Sequence, residues 1–436
     1  MASLLIKNTD WVVTQNEKRE VLRNASILVR DGVIVEVGKA STGSTDDEID
    51  ASGKIAIPGL VNAHTHVSMT LFRGFADDML LQDWLQKKIW PLEAKHTDET
   101  CYVGALLGCA EMIMSGTTTF LDMYFHMEKV AQAVAESGLR GFLSYGIIDL
   151  FDQAKARSEQ DTSRKFFEYV KELGNPRIRF SVGPHTPYTC SEETLLWAKE
   201  FAEKNGVILH IHIAETRREQ ADFQREHGMR VVEYLDKIGA LSKNMVAAHC
   251  SWLTKSEVGL LAKAGVSVAH CPVSNMKLAT GGVAPLPEMF EVGVVVGLGT
   301  DSASSNNTLD MFETMKVCAL LHKAHRWDPT VLDAQKVLDL STIDGARALG
   351  VGGELGSIEV GKRGDIVLID GKAPNMMPVH GKDTIVSDLV YSVSSANVDS
   401  TIVDGKVLMR ERQVKSLNVG DVLSKAQEAA LQLVAS

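Results

Sequence analysis

Short apolar runs alternate with amphipathic stretches through the middle of the chain. Eight of these runs are rich in β-branched residues and are separated by helix-like segments, as expected of buried strands. They cover residues 59–66, 117–124, 141–147, 178–188, 207–215, 245–251, 266–274 and 294–302. After the fourth run, Ser191 is a candidate N-cap and Gly206 a candidate terminator, which is typical of a helix. Eight β/α units predict an α/β fold, a TIM-type (β/α)8 barrel rather than an open doubly wound sheet.

The two ends of the chain differ from its middle because both have the pattern of β structure. Residues 1–57 contain short β-rich runs with a hairpin signal at Asp31-Gly32, and the segment after residue 355 repeats this pattern with Asp404-Gly405. We therefore predict a small composite β-sandwich domain made of residues 1–57 and 355–436. The barrel domain, residues 58–354, is inserted between its two halves.

Composition places the chain among ordinary globular proteins. Of its 436 residues, 45% are hydrophobic and 23% are charged, and the formal net charge is −11 without a long basic run. This balance argues against nucleic acid or an anionic membrane as a partner. The six cysteines form no CxxC pair, and the sequence has no signal-peptide pattern and no apolar run of about 18 residues. We therefore expect free thiols, no membrane span and a cytoplasmic location.

Titratable side chains collect where the predicted barrel strands end. Strands 1, 4, 5, 6 and 8 end in or near the following set: His64, His66, His185, His212, Glu215, His249 and Asp301. In a barrel the carboxyl ends of all strands converge on one face, and barrel active sites lie there. We therefore expect these side chains to meet at one site.

The spacing of the first two histidines indicates a metal site. His64 and His66 are two residues apart on a predicted strand, so their side chains point to the same side. Catalytic zinc sites use three or more protein ligands and leave a position for water. The sequence therefore predicts one catalytic divalent ion, in the first place Zn²⁺, with Fe²⁺ or Mn²⁺ as alternatives. The predicted ligands are His64, His66, His212 and Asp301.

Three further histidines belong to motifs that could also suggest a metal site. His210 forms a second His-x-His with His212, and we favour His212 as the ligand because it lies nearer the strand end. His270, which precedes Cys271-Pro272, is predicted to support the site or to be structural. His126-Met127-Glu128 matches part of the signature of zinc deaminases that act on bases in nucleic acids, but the PCxxC that completes it is absent.

Four motifs resemble the amidohydrolase superfamily: Gly59–His66, His212–Thr216, Ala248–Cys250 and Gly299–Ser302. The similarity extends over nearly the whole chain. Within the superfamily, three segments look like the 5′-methylthioadenosine/S-adenosylhomocysteine deaminases: Thr70–Asp78, Trp90–Glu93 and Gly183–Tyr188. Triazine-type hydrolases and other aminohydrolases share much of the pattern and are the alternative. A non-catalytic barrel scaffold is disfavoured because no metal ligand is lost.

The resemblance implies a single-metal enzyme. Predicted strand 4 lacks the lysine with which two-metal members of the superfamily bridge their ions. Glu215 follows His212 by three residues, as in the single-metal deaminase branch. The resemblance also implies a homo-oligomer, either a dimer or a tetramer.

The reaction implied by the resemblance is hydrolytic deamination of an adenine nucleoside at C6, giving the inosine analogue and ammonia. 5′-Methylthioadenosine is the first candidate substrate, followed by S-adenosylhomocysteine and adenosine. Asp301 can take a proton from the metal-activated water, His249 can orient that water, and Glu215 can protonate the ring nitrogen beside C6. By resemblance, Glu93 binds the ribose hydroxyls and His185 contacts the substrate.

The segment after predicted strand 3 departs from the superfamily pattern. Members often carry an arginine there that reaches the substrate, whereas Ser144–Asp149 contains none. Arg140 precedes the strand and Arg157 lies well beyond it. This departure favours methylthioadenosine or adenosine over S-adenosylhomocysteine, which carries a homocysteine carboxylate.

An apolar segment after predicted strand 1 has two interpretations of equal weight. It either covers the purine or thioether of a substrate, or packs onto the top of the barrel. The residues concerned are Phe72, Leu80, Leu81, Trp84 and Trp90.

Overall fold

The computed structural model describes residues 2–38, 45–79 and 81–435, with Leu81 and Gln82 described by their backbone alone. Within these ranges, seventeen strands form two sheets. The first sheet contains β1 (Ser3–Val13), β2 (Val21–Arg30), β3 (Val33–Gly38), β4 (Asp47–Asp50), β5 (Lys54–Pro58), β14 (Ile366–Asp370), β15 (Val398–Val403), β16 (Lys406–Arg410) and β17 (Gln413–Val414). The second contains β6 (Leu60–Thr65), β7 (Thr117–Tyr124), β8 (Arg140–Ile147), β9 (Ile178–Pro184), β10 (Ile208–Ile213), β11 (Met245–His249), β12 (Ser267–His270) and β13 (Val296–Leu298).

Helices connect the strands of the second sheet and also follow it. In chain order they are α1 (Leu81–Trp84), α2 (Trp90–Glu93), α3 (Asp98–Met114), α4 (Met127–Ser137), α5 (Gln153–Leu173), α6 (Glu192–Asn205), α7 (Arg217–His227), α8 (Val231–Lys237), α9 (Lys255–Ala264), α10 (Pro272–Lys277), α11 (Leu286–Glu291), α12 (Met311–Arg326), α13 (Ala334–Leu340), α14 (Ile343–Ala348), α15 (Lys382–Tyr391) and α16 (Val419–Ala435). Short 3₁₀ segments occur at Val67–Phe72, Pro374–Met376 and Ser395–Asn397, and a π-helical turn at Leu85–Ile89. Among the described residues, no helix combines the length and apolar character that crossing a membrane requires.

The second sheet is the predicted barrel. Its eight strands pair in parallel with their neighbours in chain order, from β6 to β13. A parallel bridge between Thr65 and Asp301 joins the first strand to the residues that follow the last one. The prediction of a (β/α)8 barrel is thus confirmed. Ser191 caps α6 by accepting a hydrogen bond from the Thr194 N–H, and Gly206 ends that helix at φ +65°, both as expected from the sequence.

The barrel strands are shorter than the apolar runs that predict them. β9 ends at Pro184 and β13 at Leu298, so His185 and Asp301 lie in the loops just beyond the carboxyl ends. Every residue of β6 and β7 is buried, because one face of each strand packs on helices and the other fills the barrel. The apolar pattern therefore continues past the strands into the loops that carry the candidate site.

The predicted β domain built from both chain ends is present as a mixed sheet. Strand β14 pairs antiparallel with β5, which joins the C-terminal strands to the N-terminal ones. Both predicted hairpin turns are confirmed: Asp31-Gly32 and Asp404-Gly405 have positive φ angles, as type I′ turns require. The C-terminal segment also contains α15 and α16, which pack against α13 and α3 of the barrel. The division at 57/58 and 354/355 stays a prediction.

A buried ion pair ties the barrel to the mixed sheet. Arg140, the first residue of β8, is 2% exposed and donates from Nη2 to Asp404 Oδ1 at 2.7 Å and to Asp365 Oδ1 at 3.3 Å. Asp365 precedes β14, and Asp404 lies in the turn between β15 and β16. The guanidinium therefore pairs with two carboxylates of the other sheet, one of which also accepts from Arg363 Nε at 2.6 Å, and it is not available to a substrate.

We predict that Arg140→Ala lowers the free energy of unfolding by about 3–5 kcal/mol, because it leaves the buried Asp365 carboxylate without its cation, whereas Asp404 keeps its contact with Arg363. Urea unfolding followed by circular dichroism measures this. Arg157→Ala is the matched control, since Arg157 is exposed on α5. A loss below about 1 kcal/mol, the usual value of a surface pair, would contradict the interpretation of this contact as a structural link.

Candidate active site

A cavity of about 490 Å³ opens at the carboxyl edge of the barrel. Almost all of the titratable residues predicted from the strand ends line it, together with one from α2: His66, Glu93, His185, His212, Glu215, His249 and Asp301. His64 is fully buried and lies against this group, with its ring centroid 4.9 Å from that of His66. The structure thus brings together every residue that the sequence analysis assigned to the site.

Four side chains in the cavity floor have the spacing of metal ligands. Asp301 Oδ1 lies 3.5 Å from His64 Nε2 and 3.4 Å from His66 Nε2. His212 Nε2 lies 3.3 Å from His66 Nε2. Two ligand atoms bound to one zinc ion at about 2.0–2.1 Å, with tetrahedral angles, are about 3.3–3.4 Å apart. The donor atoms therefore have the separations expected of ligands to one ion.

The hydrogen bonding of the histidines supports the same conclusion. His66 Nδ1 donates to the Met123 carbonyl at 2.6 Å, and His212 Nδ1 donates to the His185 carbonyl at 2.8 Å. With Nδ1 used in this way, each Nε2 presents its lone pair to the cluster. His64 Nε2 is buried without a hydrogen-bond partner. A divalent cation would satisfy all three nitrogens, so the residues present fit a metal ion.

The three histidines that were considered outside the predicted ligand set have other partners. His210 Nε2 lies 2.7 Å from His64 Nδ1, so His210 supports the ring of a predicted ligand. His270 Nε2 lies 3.1 Å from Nε2 of His322 on α12, away from the cavity. His126 pairs with Asp98 at the surface.

Asp301 is held as a carboxylate by its surroundings. Its Oδ2 accepts hydrogen bonds from Ser274 Oγ at 2.5 Å and Ser305 Oγ at 3.0 Å. Burial opposes ionisation, but the imidazole of His64, with smaller contributions from its neighbours, holds the pKa of Asp301 well below its usual range. Asp301 was predicted from its strand end, but neither serine was: Ser274 contacts it from helix α10, and Ser305 belongs to the loop that follows it.

The pKa of Glu215 is shifted in the opposite direction from that of Asp301. Burial, assisted by the nearby Asp301 charge, raises the pKa of Glu215 to about 8. Its Oε2 lies 3.9 Å from His249 Nε2. The carboxylate of Glu219 accepts hydrogen bonds from the N–H groups of Ala214 at 2.9 Å and Glu215 at 2.8 Å, which fixes the turn after β10. Glu219 was not predicted, although Thr216 followed by Glu219 is the spacing of a capping box.

Glu93 and His185 occupy other walls of the cavity. Burial raises the pKa of Glu93 to about 7, and the neighbouring phenol of Tyr124 partly opposes that rise. His185 Nδ1 contacts Thr189 Oγ1 at 3.0 Å, and burial lowers the pKa of His185 to about 3, so its ring is neutral. Tyr124, whose buried phenol neighbours Glu93, also lines the cavity and was not identified from the sequence.

The remaining lining is largely apolar and, among the described residues, contains no lysine or arginine. Trp84 and Trp90 line the cavity, whereas Phe72 is buried in the core, so the apolar segment contributes both to the cavity wall and to the packing on the barrel. Leu80 and the Leu81 side chain lie outside the described residues. Ile148 and Leu150, from the segment after β8 that lacks an arginine, line another wall.

Comparison with known proteins agrees with this architecture. A model described as the amidohydrolase family matches residues 55–408. A 5′-deoxyadenosine deaminase of Methanothermobacter thermautotrophicus is 48% identical over 413 residues, 94% of this chain and 95% of the relative. A 5-methylthioadenosine/S-adenosylhomocysteine deaminase of Thermococcus onnurineus is 48% identical over 412 residues, again 94% and 95% of the two chains.

A solved structure is also similar over the full length. The crystal structure of an adenosine deaminase from Xanthomonas campestris with bound zinc superposes with a TM-score of 0.94 at 34% identity, covering 100% of this chain and 99% of that one. The resemblance inferred from the motifs is thus confirmed, and the chain belongs to the amidohydrolase family.

Proposed function

We propose that this protein is a metal-dependent aminohydrolase that deaminates adenine nucleosides bearing a small uncharged 5′ group. 5′-Methylthioadenosine and 5′-deoxyadenosine are the substrates we favour, with adenosine next. The observation that carries the proposal is one cavity that joins a metal-ligand cluster to a carboxyl group, Glu215, whose pKa is raised to about 8. The names of the relatives at 48% identity support the substrate class.

The proposed ligands are His64, His66, His212 and Asp301, holding one divalent ion, with zinc favoured by three imidazoles and a carboxylate. When bound, the ion supplies Lewis acidity that lowers the pKa of a water molecule to about 7. A homo-oligomeric state, dimer or tetramer, and a cytoplasmic location are further expectations of the proposal.

The protein's own residues divide the proton transfers between them. Asp301, held as a carboxylate, accepts a proton from the attacking water. Glu215 retains its proton at neutral pH because of its raised pKa, and donates it to the ring nitrogen beside C6. His249, 3.9 Å from Glu215, orients the water. The C6–O bond forms and the C6–N bond breaks. The proton that Asp301 took from the water leaves with ammonia, and the hydroxyl proton at C6 returns to Glu215, so that C6 becomes a carbonyl carbon.

Recognition of the nucleoside rests on the other walls. Glu93 is proposed to accept hydrogen bonds from the ribose hydroxyls, and His185 to contact the substrate. The apolar walls at Ile148 and Leu150 suit a methyl or methylthio group. A homocysteine carboxylate would meet no lysine or arginine of the described lining, so S-adenosylhomocysteine is the poorer candidate.

We predict that purified protein carries one divalent ion per chain and that His66→Ala loses both the ion and the activity, because one imidazole is removed from the cluster. Elemental analysis after dialysis measures the ion. His126→Ala is the matched control, since His126 pairs with Asp98 outside the cavity. Full activity of a metal-free His66→Ala protein would refute the metal assignment.

The proposed activity predicts one ammonia released per nucleoside from 5′-methylthioadenosine and 5′-deoxyadenosine, and a lower kcat/KM for S-adenosylhomocysteine. Glu215→Gln should bind the ion and fold normally but turn over at least about 10²-fold more slowly, because an amide cannot transfer the proton. A coupled ammonia assay with guanine and triazines as comparison compounds measures this. Failure to deaminate any nucleoside would overturn the substrate class, and near-normal turnover by Glu215→Gln would overturn the proton role.

We predict that kcat/KM falls as the pH drops through about 7, because Glu93, with its pKa raised to about 7, loses the carboxylate that accepts the ribose hydroxyls. The pH profile of kcat/KM reports groups of the free enzyme. Glu93→Gln cannot ionise, so its profile should lack this acid limb. At pH 8 its kcat/KM should also be lower, because about 1.5–3 kcal/mol of charge-assisted hydrogen bonding to the ribose is lost. An unchanged acid limb in Glu93→Gln would assign the limb to another group.

A further inference from the structure

Helix α10 lies behind the cavity and touches two of its groups with adjacent side chains. Ser274 Oγ donates to Asp301 Oδ2 at 2.5 Å, and the next residue, Asn275, places Nδ2 at 3.1 Å from His249 Nδ1. Asn275 is 5% exposed and His249 1%, so water does not compete for this contact. The contact with Ser274 supports a carboxylate already identified, whereas the contact with Asn275 determines which ring nitrogen of His249 carries the hydrogen.

The orientation of the Asn275 amide follows from its other partner. Asn275 Oδ1 lies 3.1 Å from the hydroxyl of Ser251, which donates to it. Turning the amide over would leave the buried Ser251 hydroxyl hydrogen without an acceptor among the described residues, at a cost of about 1–3 kcal/mol. The amide nitrogen therefore faces His249, and its N–H is the donor in that contact.

A donor at Nδ1 fixes the hydrogen of His249 on the other nitrogen. A neutral imidazole has one N–H and one lone pair, and here the lone pair at Nδ1 accepts from Asn275. Nε2 therefore carries the hydrogen and points it towards Glu215, 3.9 Å away. His66 and His212 are arranged in the opposite way, because their Nδ1 atoms donate to carbonyls and leave Nε2 bare.

The position of its hydrogen distinguishes His249 from the other histidines of the cluster. Nitrogens of His64, His212 and His249 lie within 4.8 Å of one another, so distance alone would allow all three to bind one ion. We infer that Asn275 is a positioning residue that holds His249 as its Nε2–H tautomer, which excludes His249 from metal coordination and makes it a hydrogen-bond donor to the attacking water. The role towards the attacking water rests on the proposed function, whereas the tautomer and its effect on metal coordination do not.

Nitrogen-15 NMR of histidine-labelled protein tests the tautomer directly, in both the metal-free and the zinc-loaded protein, with His249 assigned by the signal lost in His249→Gln. We expect a protonated Nε2 and an unprotonated Nδ1 in the wild type. Asn275→Asp replaces the donor by an acceptor, so the pattern should reverse. Ser251→Ala removes the hydroxyl that orients the amide without adding a charge, so the reversed tautomer should become populated beside the original one.

The kinetic and metal measurements then follow on the same variants. Asn275→Asp should keep one ion but lose about 10²-fold in kcat, the usual contribution of a positioned proton-transfer partner, with a smaller change in KM. Ser251→Ala should lie between it and the wild type. A wild-type His249 with its hydrogen on Nδ1, or an unchanged tautomer in Asn275→Asp, would overturn the inference. Absence of nucleoside deaminase activity in the wild type would instead overturn the proposed function, since the spectra do not depend on a substrate.

Discussion

The contact between strand β6 and the residues after β13 closes the barrel and builds the candidate site at the same time. The Asp301 N–H donates to the His64 carbonyl at 3.0 Å, and the Asn62 side chain receives the Thr300 N–H at 3.0 Å. These bonds bring the Asp301 carboxylate to the His64 and His66 imidazoles. A side chain at Gly299 would lie 2.9 Å from the His64 backbone and Cβ, so only glycine permits so close an approach. Loss of this seam would open the barrel and separate the proposed metal ligands from one another.

Three carboxyl groups in one cavity acquire different protonation states from their surroundings alone. Neighbouring imidazoles lower the pKa of Asp301, whereas burial raises the pKa of Glu215 to about 8 and that of Glu93 to about 7. Groups of similar intrinsic acidity can therefore serve as base, acid and hydrogen-bond acceptor at one pH. The turn at Glu215 depends on a fourth carboxyl group, Glu219, which binds backbone N–H groups instead of a substrate.

The sequence predicts the barrel and the metal-ligand cluster because both depend on local pattern. Eight apolar runs give the strands, and the position of His212 at a strand end distinguishes it from His210, which has the same two-residue periodicity. Ser274, Asn275 and Tyr124 were not predicted. The first two contact Asp301 and His249 from helix α10, which a local pattern does not indicate, and Tyr124 has the pattern of one more buried residue of β7. The helices α15 and α16 were also missed, since the neighbouring hairpin pattern indicates only β structure. Glu219 had a local signal, the capping box.

The pairing of β5 with β14 has a consequence for the order in which the chain can fold. Strand β5 has β1 on one side, and its other neighbour begins at Ile366, after the whole barrel has been synthesised. During translation this edge of β5 therefore stays unpaired until β14 has been made, and an unpaired strand edge is one that other chains can join. Domains usually fold in the order of their synthesis. In this chain the other edge of β5 is paired only after β14 has been made, so the sheet that begins the chain is the last to be completed.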